Sequence, residues 1–367
     1  MCFWNRYIKE CDLIMKIINL DYQKKSITGG HKYNDLFLNY LCMYSGCKII
    51  NTPKCSDLYP FWRKTYSPFA ELRRLHLFKN GDVVFWNDTN YKHHILLAIF
   101  SYIFKKVHSV VIIHHFPYLG KRGGGRIFSF TLQYLYYSLC RSIVVPSPFT
   151  FDLAKKLFPR KQVYYIPLPF EHEFTVSSTY EKGNLLYVGT IDERKGLKYL
   201  INALGLLMVT KPQIEIELNI VGKITDQKYY HKLLVMIEKK GLGDKIHFLG
   251  RVSDDLLKEC YQKAEVFVFP SLLEGYGIVL IEAMSKGLPI VAFNNSAIPY
   301  SISDGKNGLL ARNKDSHSFA EKLITICGNE AMRRHLQNGM KETIDSLKTK
   351  DDFEKGIRDF VKCINIL

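Results

Sequence analysis

The chain has 367 residues, 47% of them hydrophobic, and nine scattered cysteines, which favours two soluble globular domains with reduced thiols and excludes a disulfide scaffold. Lys9, Glu10 and Asp12 interrupt the N-terminus, which excludes a signal peptide, and the longest apolar run, residues 94–104, is too short to span a bilayer. The net charge of +16 is uneven, because residues 1–172 hold 24 Lys/Arg and 10 Asp/Glu, a net +14, whereas residues 173–367 hold 27 and 25, a net +2.

The basic N-terminal half also carries most of the aromatic residues. Basic and aromatic residues together predict an anionic membrane surface or an anionic acceptor as a partner. The alternative is a merely soluble basic protein. No nucleic-acid partner is expected, because the chain contains no recognition-helix, RNP or zinc pattern.

The chain opens with the pattern of a Rossmann-like domain. Residues 15–20 predict a first strand, with residues 1–14 as an extension before the domain. A loop over residues 26–30, a helix over residues 31–44 and a second strand over residues 47–50 follow. Strand, glycine loop, helix and strand in this order are typical of a nucleotide-binding α/β layer.

Four further apolar runs predict the rest of the first sheet, at residues 82–86, 109–113, 142–145 and 163–166. Each is short and apolar enough to be a buried parallel strand. Residues 94–104 lie between the first two runs and predict a buried helix.

Polar and basic residues follow one of these strands. His114 and His115 come directly after residues 109–113, and a polar side chain at the carboxyl end of a parallel strand faces the ligand crevice. A basic loop with Lys121, Arg122 and Arg126 comes next, followed by an aromatic helix over residues 127–140. The loop and the helix are suited to an anionic lipid head group, and the alternative is a core helix with a solvated loop.

A polar stretch divides the chain into two halves. The predicted domains are residues 1–172 and 185–350, joined by a linker over residues 173–184, and residues 351–367 form a final amphipathic helix. Alternating strand and helix patterns continue through the second half. Its strands are expected at residues 185–188, 214–221, 245–249, 266–269 and 290–293.

Residues 270–289, PSLLEGYGIVLIEAMSKGLP, form the most informative stretch. A buried strand leads into a loop with two glycines, and a helix follows and ends at Gly287. A helix that starts after a glycine loop offers free backbone N–H groups and a positive dipole end, which suits a diphosphate. Glu274 in the loop and Glu282 in the helix add carboxylates, whose natural partners are sugar or ribose hydroxyl groups.

Glu274 and Glu282 are separated by seven residues around Gly275-Tyr276-Gly277. This spacing resembles the Glu–x7–Glu signature of retaining glycosyltransferases, and the best match is the large family 4. The resemblance implies the GT-B fold, which is α/β with two Rossmann-like domains facing across a cleft. In that fold the last helix usually packs back against the first domain.

The resemblance also implies roles for individual residues. In the family, the first Glu and the amides that follow hold the donor sugar and diphosphate, the second Glu holds the ribose, and a Lys and a Gly-Gly pair approach the phosphates. A His at a strand end contacts the donor sugar and the acceptor side, and a segment after another strand frames the base. Here these positions are Glu274, Gly275, Tyr276, Gly277, Glu282, Lys195, Gly29, Gly30, His114 with His115 as the alternative, and Arg251 within residues 250–253.

The chain departs from the family pattern at three places. Many members have an Arg directly after the first strand of the second domain, where this chain has Thr190, so Arg194 is the candidate replacement. Residues 168–171 lack the usual Gly and Asp, which leaves the acceptor contacts open. Residues 294–300 lack the usual Gly-Gly and Pro-Glu, which leaves some donor-sugar contacts open.

The resemblance implies transfer of a sugar from a nucleotide-diphosphate sugar, with retention, to a glycan or lipid-linked acceptor in cell-surface polysaccharide or glycolipid biosynthesis. The expected enzyme is cytoplasmic or peripheral on the inner face of the membrane, and it uses neither a metal nor a cofactor, since no Asp-x-Asp motif stands in the right context. A basic nucleic-acid-binding protein and a non-catalytic GT-B scaffold are the alternatives. An NAD(P) oxidoreductase is disfavoured because G-x-G-x-x-G is missing.

Overall fold

The computed structural model describes residues 16–20, 29–52, 71–88, 90–121, 123–171, 173–177 and 179–364. The chain divides into two compact units, which are residues 1–169 with 348–367, and residues 170–347. Three sequence predictions lie outside the described residues: the extension over residues 1–14, the loop over residues 26–28 and Arg122.

Unit 1 contains a parallel six-stranded sheet in the order β2-β1-β3-β4-β5-β6. The side chains of β5 are buried on both faces of the sheet, and such burial explains why these strands appear in the sequence as continuous apolar runs. The strands are β1 Lys16–Leu20, β2 Lys48–Thr52, β3 Val83–Asn87, β4 His108–Ile112, β5 Ser142–Val145 and β6 Gln162–Tyr165. The helices that connect them are α1 Gly29–Ser45, α2 Tyr91–Phe104, α3 Gly123–Leu139 and α4 Pro148–Leu157, with single turns at Leu72–Leu77 and Pro117–Gly120.

Unit 2 repeats the design with a parallel six-stranded sheet in the order β12-β11-β10-β7-β8-β9. The strands are β7 Asn184–Val188, β8 Glu217–Val221, β9 Ile246–Gly250, β10 Val266–Phe269, β11 Ile290–Asn294 and β12 Leu309–Arg312. The helices are α5 Leu197–Thr210, α6 Gln227–Lys239, α7 Asp254–Lys263, α8 Ile278–Ser285, α9 Ile298–Ser301, α10 Ser316–Ile326 and α11 Glu330–Asp345, with single turns at Glu193–Lys195 and Gly243–Lys245.

The final helix, α12 Lys350–Cys363, returns to unit 1. A capping box between Thr349 and Asp352 starts it, which satisfies backbone N–H groups that a helix end leaves unpaired. Its apolar side packs beside α1, where the ring centroids of Phe37 and Phe360 lie 5.8 Å apart in an edge-to-face arrangement. The boundaries between the units, 169/170 and 347/348, fall three residues before the predicted positions 172 and 350.

The segment predicted as a linker is hydrogen-bonded to unit 2. The backbone N–H of Thr175 donates to the carbonyl of Ser285 at 2.7 Å, and that of Glu181 donates to the carbonyl of Lys263 at 2.8 Å. These bonds explain why a stretch without apolar periodicity follows a defined path, since backbone pairing does not require an apolar side chain.

Two predictions about the outer helices of unit 1 need correction. Helix α2 was expected to be buried, yet Phe100, Tyr102, Ile103 and Phe104 near its end are 37–65% exposed. Its composition is apolar on both sides, so periodicity could not separate the inner side from the outer side. The predicted basic loop is shorter than expected, because α3 begins at Gly123 and its first turn includes Arg126.

Candidate functional site

The loop between β10 and α8 has the backbone shape expected of an anion-binding turn. Gly277 caps the helix with a φ of 88°, a left-handed conformation that favours glycine. Helix α8 begins at the next residue, so its first N–H groups point into the loop region. The positive end of the helix dipole therefore lies where the sequence predicted a diphosphate.

Glu274 in this loop is buried and receives three hydrogen bonds on one oxygen. Its Oε1 accepts from Lys195 Nζ at 2.6 Å, from Ser271 Oγ at 2.6 Å and from Arg194 Nη1 at 3.4 Å. The other carboxylate oxygen, Oε2, takes part in none of these three bonds. The carboxylate is thus held firmly through one oxygen.

Burial by itself would raise the pKa of Glu274. The positive charges of Lys195 and Arg194, with the hydrogen bonds from Lys195 and Ser271, outweigh burial and bring the pKa below its ordinary value. Glu274 is therefore ionised at neutral pH, and the cluster combines one carboxylate with two cations.

Lys195 is positioned by a second tight turn. The single turn Glu193–Lys195 is followed by Gly196 with a φ of 69°, and a Cβ at Gly196 would lie 2.1 Å from the carbonyl oxygen of Pro270. Only glycine fits such an approach. The N–H of Leu272 also donates to the carbonyl of Arg194 at 2.8 Å. These contacts hold the Lys195 turn against the Glu274 loop.

Arg194 reaches the same loop from its unusual sequence position. Its Nη1 donates to the carbonyl of Leu273 at 2.8 Å, and its side chain is 42% exposed. Thr190, at the position where the family often has Arg, donates instead to Asp192 at 2.7 Å. The structure therefore brings Arg194 to Glu274, as a replacement cation would require.

Glu282 lies in the second turn of α8 and is half-buried. Its Oε2 accepts a hydrogen bond from the hydroxyl of Tyr261 on α7 at 3.2 Å. Burial, and then the charge of Glu282, raise the pKa of Tyr261 well above its ordinary value, so the phenol keeps its proton and remains a donor. In the loop between β10 and α8, the ring centroids of Tyr276 and Phe170 lie 5.5 Å apart. Gly275, the residue before Tyr276, carries no side chain.

Two residues that support the Glu274 loop were missed in the sequence. Ser296 Oγ accepts from the N–H of Glu274 at 2.9 Å and donates to Asn295 Oδ1 at 2.8 Å. Asn295 Nδ2 donates to the carbonyl of Ser271 at 2.9 Å. Their signal was a polar run directly after a buried strand, which places side chains at the carboxyl edge of the sheet.

The strand ends of β7, β8 and β9 form a close backbone cluster. The N–H of Gly222 donates to the carbonyl of Gly250 at 2.8 Å, and a Cβ at Gly222 would lie 1.8 Å from the carbonyl oxygen of Gly189. Arg251 follows Gly250 and is exposed. Backbone groups therefore dominate this edge, and the base contact of residues 250–253 stays a prediction.

In unit 1, His114 lies where the sequence predicted, at the end of β4. Its Nε2 is 2.8 Å from Asn34 Oδ1, and its N–H donates to Asp88 Oδ2 at 3.0 Å. A Cβ on Gly30 would be 3.2 Å from the ring, so Gly29 and Gly30, at the start of α1, bring the helix close to His114. Asn34, which sequence reasoning missed, gave no signal of its own.

The pKa of His114 is lowered, chiefly by burial and further by the neighbouring His115 and His31, although Asp88 opposes the shift. The ring is therefore neutral at neutral pH. An amide oxygen can only accept, so Nε2 carries the proton and donates to Asn34. His115 is half-buried beside it.

A hollow lies next to this histidine, at the carboxyl ends of β1, β3 and β4. Among the described residues that line it are His31, Asn34, Asp35 and Asn87, and none of the described lining residues is Lys or Arg. Its polar groups are suited to hydroxyl groups rather than to phosphates.

The two described residues of the predicted basic loop, Lys121 and Arg126, have different surroundings. Lys121 is half-buried, and its Nζ lies 3.5 Å from the hydroxyl of Tyr91 on α2. Arg126 is exposed in the first turn of α3. Lys121 therefore contacts a helix instead of standing in a solvated loop.

Two features, a cluster of metal ligands and a membrane-spanning helix, are absent from the described part of the chain. It contains no group of three or more His, Cys, Asp or Glu side chains that could hold a metal ion. None of its helices combines the length and apolar character needed to cross a membrane.

Comparison with known proteins gives matches of two kinds. Residues 171–343 match the family described as glycosyl transferases group 1. A D-inositol 3-phosphate glycosyltransferase of Paenarthrobacter aurescens (strain TC1) is 32% identical over 140 residues, which are 38% of this chain and 34% of that relative. The matched part thus spans less than half the length of the curated relatives.

Solved structures match over nearly the whole chain. Sucrose-phosphate synthase from Thermosynechococcus elongatus aligns with a TM-score of 0.72 at 17% identity, covering 95% of this chain and 99% of that one. Anabaena HepE in complex with UDP-glucose aligns with a TM-score of 0.68 at 18% identity, covering 95% and 100%. These likenesses confirm the predicted GT-B fold.

Proposed function

We propose, from the match of residues 171–343 to the family described as glycosyl transferases group 1, that the protein transfers a sugar from a nucleotide-diphosphate sugar to an acceptor hydroxyl. The observation that carries the proposal is the contact of Lys195 with Glu274 at 2.6 Å, beside the glycine-capped start of α8. This arrangement offers cations and helix N–H groups to a diphosphate, and a carboxylate to a sugar.

The proposed donor site uses the cluster in a defined way. Lys195, Arg194 and the N–H groups from Gly275 to Gly277 bind the diphosphate. Glu274 binds the sugar hydroxyls through Oε2, because Oε1 is occupied by the three bonds to protein groups. Tyr276 contributes its backbone N–H to the same site.

The ribose and the base have their own proposed contacts. Glu282 accepts from the ribose hydroxyls, with one oxygen oriented by Tyr261. The glycine-rich strand ends with Arg251 frame the base, and Gly29 and Gly30 give the phosphates a close backbone approach. Since HepE was solved with UDP-glucose, a uridine nucleotide is the first donor to test.

The proposed reaction proceeds with retention of configuration. The bond from the anomeric carbon to the diphosphate oxygen breaks, and the acceptor oxygen bonds to the same face of that carbon. The acceptor proton passes to the departing phosphate oxygen. Lys195, Arg194 and the α8 dipole stabilise the negative charge that develops on the diphosphate, so we propose that neither a metal nor a cofactor is needed.

We further propose a glycan or lipid-linked acceptor, within cell-surface polysaccharide or glycolipid biosynthesis. His114 contributes to the acceptor side, since it is a neutral hydrogen-bonding group next to a hollow that is suited to hydroxyls. The net +14 of residues 1–172 supports peripheral attachment to the inner face of a membrane, with Lys121, Arg122 and Arg126 among the basic residues. No nucleic-acid partner is proposed.

A thermal-shift screen against nucleotide diphosphates and nucleotide sugars tests the proposal. A donor present at a hundred times its Kd should raise the free energy of unfolding by about 2.7 kcal/mol. Stabilisation should persist in EDTA, and release of nucleotide diphosphate should follow when an acceptor is added. A screen in which no nucleotide stabilises the protein would contradict the proposal. Loss of transfer in EDTA that magnesium restores would contradict the metal-free form of the proposal.

A further inference from the structure

Helices α2 and α3 expose large apolar side chains on their outer sides. Ile103 and Phe104 on α2 are 63% and 64% exposed, and Ile127 and Phe128 on α3 are 70% and 63% exposed. Isolated apolar side chains on a surface need no explanation. Here, however, two pairs occur on adjacent helices, one at the end of α2 and one near the start of α3, and exposed apolar side chains that share one surface mark interaction sites.

The two helices form one layer. On the inner side, the hydroxyl of Tyr91 on α2 is 2.8 Å from Ser129 Oγ on α3, and the hydroxyl of Tyr136 on α3 is 3.4 Å from His94 Nδ1 on α2. Both helices pack over the same strand, since the ring of Trp86 is 6.0 Å from those of His94 and Tyr136. The outer sides therefore face in the same direction, and we call them the α2–α3 face.

The stretch of chain that contains α2 and α3 carries formal charge of one sign. No Asp or Glu occurs in the sequence between Asp88 and Asp152. The Lys and Arg residues of this interval are Lys92, Lys105, Lys106, Lys121, Arg122, Arg126 and Arg141. Of these, Lys92, Lys106, Arg126 and Arg141 are exposed. Exposed apolar side chains in a stretch of chain whose formal charges are all positive are complementary to an anionic, partly apolar partner.

We propose that the α2–α3 face docks on an anionic lipid bilayer, with Ile103, Phe104, Ile127 and Phe128 entering the head-group boundary and the basic residues contacting lipid phosphates. A second copy of the chain would fit this face poorly, because it would bring the cations of this stretch against the same cations of the other copy. A soluble anionic acceptor would require basic residues in the hollow beside His114. None of the described residues that line this hollow is Lys or Arg.

This inference gives the proposed membrane attachment a defined surface. It is independent of sugar transfer, because binding to vesicles requires neither donor nor turnover. It also assigns the main contact with the membrane to the exposed apolar side chains of α2 and α3. Lys121 is not the main contact, because its Nζ already lies near the hydroxyl of Tyr91.

Vesicle co-sedimentation of the full chain tests the inference. The probes are vesicles of phosphatidylcholine alone and of phosphatidylcholine with phosphatidylglycerol. The wild-type protein should sediment with the anionic vesicles only. Binding should weaken at high salt, because the screening length falls from about 10 Å at 0.1 M to about 3 Å at 1 M.

Two apolar double variants, Ile103→Gln/Phe104→Gln and Ile127→Gln/Phe128→Gln, should each lower the partition coefficient about tenfold or more. Glutamine keeps helix propensity, so the fold should survive. The matched control is Val209→Gln/Val235→Gln, which changes side chains of unit 2 that are 81% and 46% exposed. This control should bind as the wild type does.

One basic double variant, Lys106→Gln/Arg126→Gln, should lower the partition coefficient about fivefold for each charge removed. Its control is Lys228→Gln/Lys232→Gln, two exposed positions of α6. Thermal midpoints and the donor-induced thermal shift should remain those of the wild type in all variants, which separates loss of docking from loss of fold or of donor binding.

Three results would overturn the inference. The first is equal sedimentation with neutral and anionic vesicles, or none with either. The second is loss of binding in the control variants to the same extent as in the α2–α3 variants. The third is a dimer in analytical ultracentrifugation that the apolar variants abolish, because a second copy would then occupy the face.

Discussion

The carboxyl ends of the two sheets carry different chemistry. In unit 2, Lys195 and Arg194 surround the ionised Glu274. In unit 1, His114 is neutral and its ring is bonded to the amide of Asn34. Two cations thus lie at this edge of unit 2, whereas no described residue that lines the hollow of unit 1 is Lys or Arg. Cations suit a diphosphate, and amide and carboxylate oxygens suit hydroxyl groups, so the comparison supports the proposed donor and acceptor sides.

The largest effect is expected from Lys195→Ala. It removes the main partner of the buried Glu274, and breaking a buried ion pair costs roughly 3–5 kcal/mol of stability. Donor binding and turnover should both be lost. Denaturant unfolding and single-turnover kinetics measure the two effects. The matched control is Lys198→Ala, whose ion pair with Glu193 is longer, at 3.7 Å, and partly exposed. Equal behaviour of the two variants would contradict the role of Lys195.

A smaller but still large effect is expected from Glu274→Gln and Glu282→Gln. Each keeps the shape of the side chain and weakens a charge-assisted hydrogen bond by roughly 1.5–3 kcal/mol. Turnover should fall about tenfold to a hundredfold while the circular dichroism spectrum is unchanged. Glu330→Gln, on the exposed surface of unit 2, serves as the control. Wild-type transfer by both variants would remove these residues from the donor site.

The residues of the candidate site in unit 2 left a clearer signal in the sequence than those around His114 in unit 1. Lys195 lies in the turn before α5, and Glu274 and Glu282 flank the glycine loop between β10 and α8, so a residue type and a local spacing were visible in the sequence. Asn295 and Ser296 could not be placed, because they hold the loop through side-chain bonds to backbone groups that become neighbours only after folding. Asn34 bonds to His114 across 80 positions of sequence, which no local pattern reveals.

The strands were predicted well and the surfaces poorly. Each run that predicted a strand is a strand in the structure, and strands that are buried on both faces, such as β5 and β10, leave a continuous apolar signature. The same reasoning failed for α2, whose exposed Phe104 and Ile103 are as apolar as its buried residues. Composition reports that a side chain is apolar but not which partner covers it.

A moderate, pH-dependent effect is expected at His114. Burial holds the pKa of this ring below its ordinary value of 6.5, so the unfolded chain takes up the proton first as the pH falls. The free energy of unfolding should therefore decline below pH 6.5, until His114 itself protonates. His114→Gln should remove this part of the decline and leave the curve above pH 6.5 parallel to that of the wild type.

Denaturant titrations at a series of pH values measure the His114 effect. His317→Gln, at an exposed position, is the control and should keep the wild-type decline. A decline of unchanged size in His114→Gln would mean that other groups produce it. Glu274, whose pKa lies below the ordinary 4.5, contributes in a lower window, because its stabilisation is lost only as the pH falls below that value.

The smallest effect is expected from Gly30→Ala. Its Cβ would lie 3.2 Å from the His114 ring, so the ring must move by a few tenths of an ångström, at a cost of about 1 kcal/mol or less. Donor affinity should weaken slightly, because the backbone of Gly30 is proposed to approach the donor phosphates. Gly241→Ala is not a fair control, because its φ is 64°. Gly243→Ala is suitable, since nothing lies within 4 Å of its Cβ. Unchanged donor affinity in Gly30→Ala would contradict its proposed place beside the phosphates.

Calorimetric titration in EDTA tests the central claim most directly, because it separates the sugar contact from the diphosphate contact. The ligands are the nucleotide sugar that gives the largest thermal shift and the corresponding nucleotide diphosphate. We expect Lys195→Ala to bind neither ligand, and Glu274→Gln to bind the diphosphate normally but the nucleotide sugar about tenfold or more weakly, in keeping with a lost charge-assisted bond. Equal affinities of the wild type and both variants for the two ligands would contradict the proposed donor site.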